Sequence, residues 1–342
     1  MTDSTVIRPE VDYAVDPTWP QDLPEGWILG QVGSVFVDAE DNVLILNRGD
    51  ITEEEAESGE SAPPVVVFDK AGAVIKSWGD PTVLPERLHG SFVDTDQSVW
   101  VTGMSDGIIQ KYSWEGELLL QIGDRGVFDT SDGTIEGTSL NEGRTQFFKP
   151  AGVEVDPATG EVFVADGYGN RRVAVFSAEG EFIRQWGRQG SESEARSGEP
   201  GTFSKVVHCV KISNEGLVYV GDRQGNRIQV FERDGGFVRN IWVRPEGRQA
   251  TGVPDHRGTA WWVDFSPDAE QELLYVMDGR NEQVHILDHA SGAILNSFGR
   301  PGHQLGAFTH GHTLAVDSES SVYVGETNTG RRIQKFRPRT TG

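Results

Sequence analysis

Apolar and polar positions alternate along this chain in short runs, and the runs recur. "VADGYGNRRVAVF" (164–176), "VGDRQGNRIQVF" (220–231), "VMDGRNEQVHIL" (276–287) and "VGETNTGRRIQKF" (324–336) share one frame. Each places an apolar strand, an acid, a polar turn and a second strand in the same order. The frame is part of a longer unit: a first strand, a turn, a second strand, the acid turn, a third strand, another turn, and a fourth strand ending near glycine. Six copies fit the chain, their first strands opening near Gly33, His89, Ala151, His208, Thr259 and His312. The strands are short, alternate in polarity and favour Val, Ile, Phe and Trp. The turns carry the Gly, Asn and Asp residues that hairpins need. Four strands per period of about 40–50 residues is the arithmetic of a β-propeller. The pattern therefore predicts an all-β, six-bladed β-propeller of four-stranded antiparallel blades. A helical solenoid is excluded, because no segment keeps a 3.6-residue period for three turns.

The sixth copy stops after three strands. The segment LPEGWILGQ (23–31) is expected to donate the missing fourth strand and close the ring, which removes an exposed edge. Residues 1–22 are then an N-terminal arm, and 23–342 are one propeller domain. Two insertions, 124–146 and 188–201, interrupt the repeat. Their length leads us to expect functional lids or flexible segments.

Composition narrows the function. The 342 residues carry a net charge of −23, with one cysteine. The acidity repels phosphate backbones and no basic stripe is visible, so nucleic acid is not an expected partner. The N-terminal residues show no basic-then-apolar signal pattern and no run approaches 18 apolar residues, so no membrane association is expected. The lone Cys209 fits a reducing compartment, and the expected location is cytoplasmic.

Candidate chemistry appears when the copies are aligned. The second, fourth and sixth open on His89, His208 and His312, 119 and 104 residues apart, about two blades each. Alternate blades of a six-membered ring sit about 120° apart, so three imidazoles at one height would converge on the axis. Imidazole is the commonest transition-metal ligand, and three protein ligands with an open fourth position is how catalytic zinc is held. The remaining histidines (His256, His285, His289, His303) show no such register. His310, two residues before His312, could share its strand face.

In the acid turns the frame is constant but the following residues vary: Arg48, Met104, Gly167 then Tyr168, Arg223, Gly279 then Arg280, and Thr327. The acids have a structural reading, capping turn amides and pairing with Arg172, Arg227 or Arg331. The variable residues read as a site. Arginine matches a carboxylate with a two-pronged geometry, and a tyrosine beside cations can serve as a base. Tyr168, Arg48 and Arg223 are the candidate catalytic residues. Arg48, Arg223, Met104, Arg280 and His310 are the candidates for binding substrate.

At this point "FKPAGVEVDPATGEVFVADGYGNRRVAVFSAEGEFIRQWG" resembles the third blade of the peptidyl-α-hydroxyglycine α-amidating lyase family, a six-bladed NHL-type propeller. The resemblance runs from about residue 23 to 336. It rests on the joint pattern of RGD, HG, DGYGN, a further His, DR and a last His. It implies zinc on His89, His208 and His312, Tyr168 as base on a substrate hydroxyl, and Arg48 and Arg223 binding substrate. The implied reaction cleaves the N–C bond of a carbinolamide to give an amide and glyoxylate. The chain departs from the animal enzymes at Gly169, where they have a cysteine. It departs again at His310–Gly311, where they have Met-Pro. At Thr313 they have an aspartate that helps bind a structural Ca2+, so that ion would have to bind here without it. The expectation is a metal-dependent lyase with Zn2+ or another divalent transition metal, acting on a small or peptide-like substrate bearing a carboxylate. Two alternatives stay open: a metal-dependent hydrolase of a lactone, ester or amide on the same site, and a non-catalytic NHL-type binding module.

Overall fold

The computed structural model describes residues 12–244 and 257–339. It contains six four-stranded antiparallel sheets, five of them running in chain order from the central channel outwards. Blade 1 is Val32–Val37, Val43–Asn47, Val65–Phe68 and Val74–Trp78. Blade 2 is Leu88–Val93, Val99–Gly103, Ile109–Tyr112 and Leu118–Ile122. Blade 3 is Pro150–Val155, Val162–Asp166, Arg172–Phe176 and Phe182–Trp186. Blade 4 is Val207–Ile212, Val218–Asp222, Arg227–Phe231 and Phe237–Trp242. Blade 5 is Trp262–Phe265, Leu273–Asp278, Gln283–Asp288 and Ile294–Phe298. Blade 6 is Gly311–Val316, Val322–Glu326 and Arg332–Pro338, completed from the N-terminus. The expected six-bladed propeller is the observed fold.

Polarity alternates less cleanly than the sequence pattern suggests. The second and third strands of blades 3 and 4 are buried along their whole length. They lie between neighbouring blades, so both faces are covered and both are apolar. Phe163, Val173 and Val175 of blade 3, for example, pack with Val210, Val218, Val220 and Phe231 of blade 4. The outer strands keep one wet face, as in Phe182–Trp186 and Ile294–Phe298.

An N-terminal strand does close the ring, but it is not the segment 23–31. Tyr13–Val15 pairs antiparallel with Arg332–Pro338, with Tyr13 opposite Pro338 and Val15 opposite Phe336. The propeller therefore begins within the segment expected to be an arm, of which residues 1–11 lie outside the described residues. Three residues suffice because Tyr13 is anchored sideways. Its ring stacks on Phe298 at 4.8 Å, and its hydroxyl meets that of Tyr275 at 2.8 Å. Arg337 clamps the same junction by donating to Asp16 Oδ2 at 2.7 Å. From the segment 23–31, Trp27–Ile28 instead pairs in parallel with Glu60–Ser61, over the blade 1 loops.

The two insertions are tied down by buried side chains. Ser139 and the Asn141 amide donate to Asn170 Oδ1, and Arg172 Nη2 donates to the carbonyl of Gln146 at 2.8 Å. The second insertion forms a short helix, Glu192–Ser197, capped by Ser191 and by left-handed Gly198. Arg227 fixes its exit by donating to Thr202 O at 2.6 Å.

Candidate metal centre and active site

The acid turns behave largely as the sequence suggests. Asp166 pairs with Arg172 and Asp222 with Arg227, each at 3.0 Å and fully buried. Blade 5 substitutes His285 for the arginine, at 2.9 Å from Asp278. In blade 6 the partner of Glu326 is Arg332, not Arg331, which instead reaches Glu55. These buried pairs hold the turns that present the variable residues. Gly167 is required in one of them. A Cβ there would lie 2.0 Å from Val207 O, so only glycine lets this turn lie against the inner strand of blade 4.

His89, His208 and His312 each occupy the second position of their inner strand. At this position the pairing register slips in five blades: between Val32 and Ser34, Leu88 and Gly90, Pro150 and Gly152, Val207 and Val210, and Gly311 and Thr313. A bulge bends a strand and re-aims its side chain. Here it accompanies the convergence of the three rings. Their centroids are 4.6, 4.8 and 5.0 Å apart, at 74–79° to one another. All three residues are buried.

The odd blades fix the rings. His89 Nδ1 lies 2.9 Å from Ala151 O, His208 Nδ1 2.7 Å from Trp261 O, and His312 Nδ1 2.9 Å from Gly33 O. A carbonyl only accepts, so each Nδ1 carries the proton and each Nε2 keeps its lone pair. Burial, with Arg48 and Arg223 nearby, holds all three imidazoles far below the ordinary histidine range and hence neutral. The three nitrogens lie within 4.8 Å of one another. Donors gathered this closely could hold one ion, for which zinc–nitrogen distances are about 2.0–2.1 Å. Neutral imidazoles with the second nitrogen bonded to a carbonyl are the donor set a divalent transition metal takes. Among the described residues no other group of three His, Cys, Asp or Glu side chains is so placed. Thr313 buries a hydroxyl with no hydrogen-bond partner and brings no charge toward a calcium ion.

Tyr168 and Arg223 join the trio. Tyr168 Oη lies 3.1 Å from both His89 Nε2 and His208 Nε2, and accepts from Arg223 Nη1 at 3.1 Å. Arg223 is held between two rings, its guanidinium carbon 5.3 Å from the Tyr168 centroid and 4.6 Å from that of Trp261. Arg48 donates through Nε to Leu88 O at 2.7 Å and through Nη1 to Gln31 at 3.0 Å. Burial lowers its pKa to about 10, against the opposing field of Tyr168.

The Met104 amide bonds to Arg87 O, and the Arg280 amide to Asp278. His310 sits at φ 59°, just before the strand begins, so it does not share a strand face with His312. Its Nε2 lies 2.8 Å from Arg257 Nη2. His256 lies outside the described residues. The sequence reading missed Trp261. It aligned the fifth copy on Thr259, two residues early, although matching "WVDF" to "CVKI" places Trp261 opposite His208. Gly279 leaves room for the indole, which a Cβ there would approach to 2.5 Å.

Comparison with known proteins agrees with this architecture. Peptidyl-glycine alpha-amidating monooxygenase B of Xenopus laevis is 31% identical over 349 residues, 97% of this chain and 36% of that protein. NHL repeat-containing protein 3 of Mus musculus is 28% identical, over 95% of this chain and 84% of its own. Peptidyl-alpha-hydroxyglycine alpha-amidating lyase 1 of Drosophila melanogaster is 26% identical, over 95% of this chain and 59% of its own. The chain thus spans about a third of the length of the monooxygenases it matches. A solved streptogramin B lyase shares the fold, with a TM-score of 0.56 at 12% identity over 96% of this chain and 98% of that one. No family model matches the chain.

Proposed function

This chain is a homologue of the α-amidating monooxygenases, the α-amidating lyases and the NHL repeat-containing proteins, and from that premise we propose that it is a metal-dependent lyase of the amidating type. Its substrate is an N-acyl or peptidyl α-hydroxyglycine, and its products are the primary amide and glyoxylate. One observation carries the reading: three neutral imidazoles turn their Nε2 lone pairs to one point, with a tyrosine hydroxyl 3.1 Å from two of them.

His89, His208 and His312 would hold the metal, which when bound polarises the substrate hydroxyl as a Lewis acid. Tyr168, entering the step as the phenolate, takes the hydroxyl proton on Oη. The freed O–H pair becomes the carbonyl of glyoxylate, the C–N pair leaves with nitrogen, and the proton returns to that nitrogen, so atoms and electrons balance. Arg223 places a donor and a positive charge against Oη, which favours the phenolate before the proton arrives. Arg223 and Arg48 are the groups proposed to hold the substrate carboxylate. The rings of Trp261 and Tyr168 keep Arg223 in place. Cys209 is buried and unpaired, and burial pushes its thiol up to about 12.

The test is product analysis of an N-acyl-α-hydroxyglycine in H2(18)O. Elimination yields the primary amide free of solvent oxygen. A hydrolase would yield the carboxylic acid carrying one (18)O, and that outcome overturns the lyase reading in favour of water activation at the same site.

A further inference from the structure

Tyr168 sits between two glycines, and the packing requires both. A Cβ at Gly167 would lie 2.0 Å from Val207 O, and one at Gly169 would lie 2.2 Å from the Phe148 ring. The turn is therefore pressed between the inner strand of blade 4 and the segment that enters blade 3. Glycine has the most backbone freedom to lose on folding, so the local sequence leaves the tyrosine on a loose hinge. Its hydroxyl nevertheless sits 3.1 Å from both His89 Nε2 and His208 Nε2.

Arg171 supplies the hold. Its guanidinium folds back on the turn, and Nη1 donates to Gly167 O at 2.8 Å, to Gly169 O at 3.0 Å and to Asn170 O. The amides of Tyr168, Gly169 and Asn170 donate instead to Lys149 O and Phe148 O. Amides and carbonyls of the turn are thus both taken, by different partners. The backbone of Arg171 is itself fixed, its amide donating to Asn141 Oδ1 at 2.9 Å.

This is a costly place for a cation. Arg171 is half-buried, its Nε has no acceptor, and among the described residues no carboxylate lies within ion-pair distance. Burial disfavours its charged form. Asp222 and Asp166, already paired with Arg227 and Arg172, oppose this through space, and Arg223 adds to it. The turn carbonyls are what the charge gains in return. Blade 6 offers an internal contrast. Residues 167–171 and 327–331 link equivalent strand pairs, Asp166 with Arg172 and Glu326 with Arg332. Arg331, at the position of Arg171, turns away from its own loop to Glu55 and Leu29 O. That loop carries no tyrosine.

We propose that Arg171 is a positioning residue: it clamps the 167–170 turn and so holds the Tyr168 hydroxyl against His89 and His208. Its effect on turnover rests on the lyase reading, whereas its hold on the turn does not.

Two measurements on the metal-loaded full chain keep these apart. In Arg171→Ala, amide hydrogen exchange at 168–170 should be at least about tenfold faster, with the strands of blade 3 unchanged. At equal metal content, kcat for glyoxylate release should fall about 10–100-fold with KM within about twofold, as expected for a reacting group displaced by about 1 Å. Arg171→Met keeps the apolar stem and removes every donor, so it should reproduce both effects even where the alanine variant folds poorly. Arg171→Lys restores a cation with N–H donors and should lie between Arg171→Met and the wild type in both readouts. Arg331→Ala, at the matching turn, should change neither. Wild-type exchange at 168–170 in folded Arg171→Met overturns the clamp. Faster exchange with unaltered kcat overturns the positioning role. Faster exchange confined to 168–170, in a protein whose wild type cleaves no α-hydroxyglycine, supports the clamp and sinks the lyase reading alone.

Discussion

Two layers of the central channel are built from the same six strands and solve opposite problems. One contains Gly33, His89, Ala151, His208, Trp261 and His312. The other lies three residues further along each strand, about 10 Å away at 3.3 Å per residue: Phe36, Phe92, Glu154, Lys211, Asp264 and Ala315. In the second layer half the ring is apolar, with Phe36 and Phe92 edge to face at 5.2 Å. The other half brings its own cation. Lys211 Nζ lies 3.3 Å from Glu154 and 3.6 Å from Asp264, beside a cavity of about 130 Å³. The histidine layer has acceptors facing inward and no side-chain cation between them. It remains neutral because burial, with Arg48 and Arg223 nearby, disfavours the imidazolium, while the carbonyls of the next blade fix the tautomer. Burying a charge without a partner is costly, and an ordered imidazole escapes that cost where a carboxylate does not. The comparison teaches that the ionic layer is complete within the chain, whereas the histidine layer presents three neutral imidazoles that could hold a cation.

Removing the histidines breaks the comparison most severely. His89→Ala, His208→Ala and His312→Ala together should abolish metal uptake, measured by elemental analysis, with the β-sheet circular dichroism retained. Unchanged metal content would remove these residues as ligands. Tyr168→Phe comes next. Loss of a general base typically costs about 10²–10⁴-fold in kcat, here read as glyoxylate release, while metal content stays constant. Unaltered turnover would exclude Tyr168 from proton transfer.

Lys211→Met attacks the other layer. It leaves buried Glu154 and half-buried Asp264 without their cation, which should cost about 3–5 kcal/mol of stability in urea unfolding, with metal stoichiometry unchanged. A metal loss as large as that of the triple variant would mean the layers are not separable. The smallest effect is pH-dependent. Burial raises the Glu154 pKa to about 7, against the pull of Lys211. The native state therefore holds a proton that the unfolded state releases above its ordinary pKa of about 4.5. Ionised Glu154 penalises the native state above pH 7, and the penalty fades as pH falls toward 4.5. Relative to Glu154→Gln, the wild type should thus gain on the order of 1–3 kcal/mol between pH 8 and 5. Parallel urea midpoints for the two proteins across that range would reject the raised carboxyl.

The recurring strand–turn–strand frame, six copies long and with an acid before the turn in four of them, was enough to read the propeller, because a strand period and a turn residue are local properties of the chain. The histidines of alternate copies were legible for a related reason: a ring converts equal spacing along the chain into convergence in space. Tyr168 and Arg223 followed as the residues that vary within a fixed frame. Other features depend on contacts the chain makes far from itself. Tyr13–Val15 closes the ring because Tyr13 finds Tyr275 and Phe298, whereas 23–31 packs elsewhere. Arg332 rather than its neighbour meets Glu326, because Arg332 opens the strand directly opposite Glu326 while Arg331 lies in the preceding turn at φ 47°. The carbonyls of Gly33, Ala151 and Trp261 have no signature in sequence, since every residue has one. Only the one-residue bulges and the abutment of neighbouring blades decide which carbonyl receives which imidazole proton, and so which nitrogen is left to face the axis.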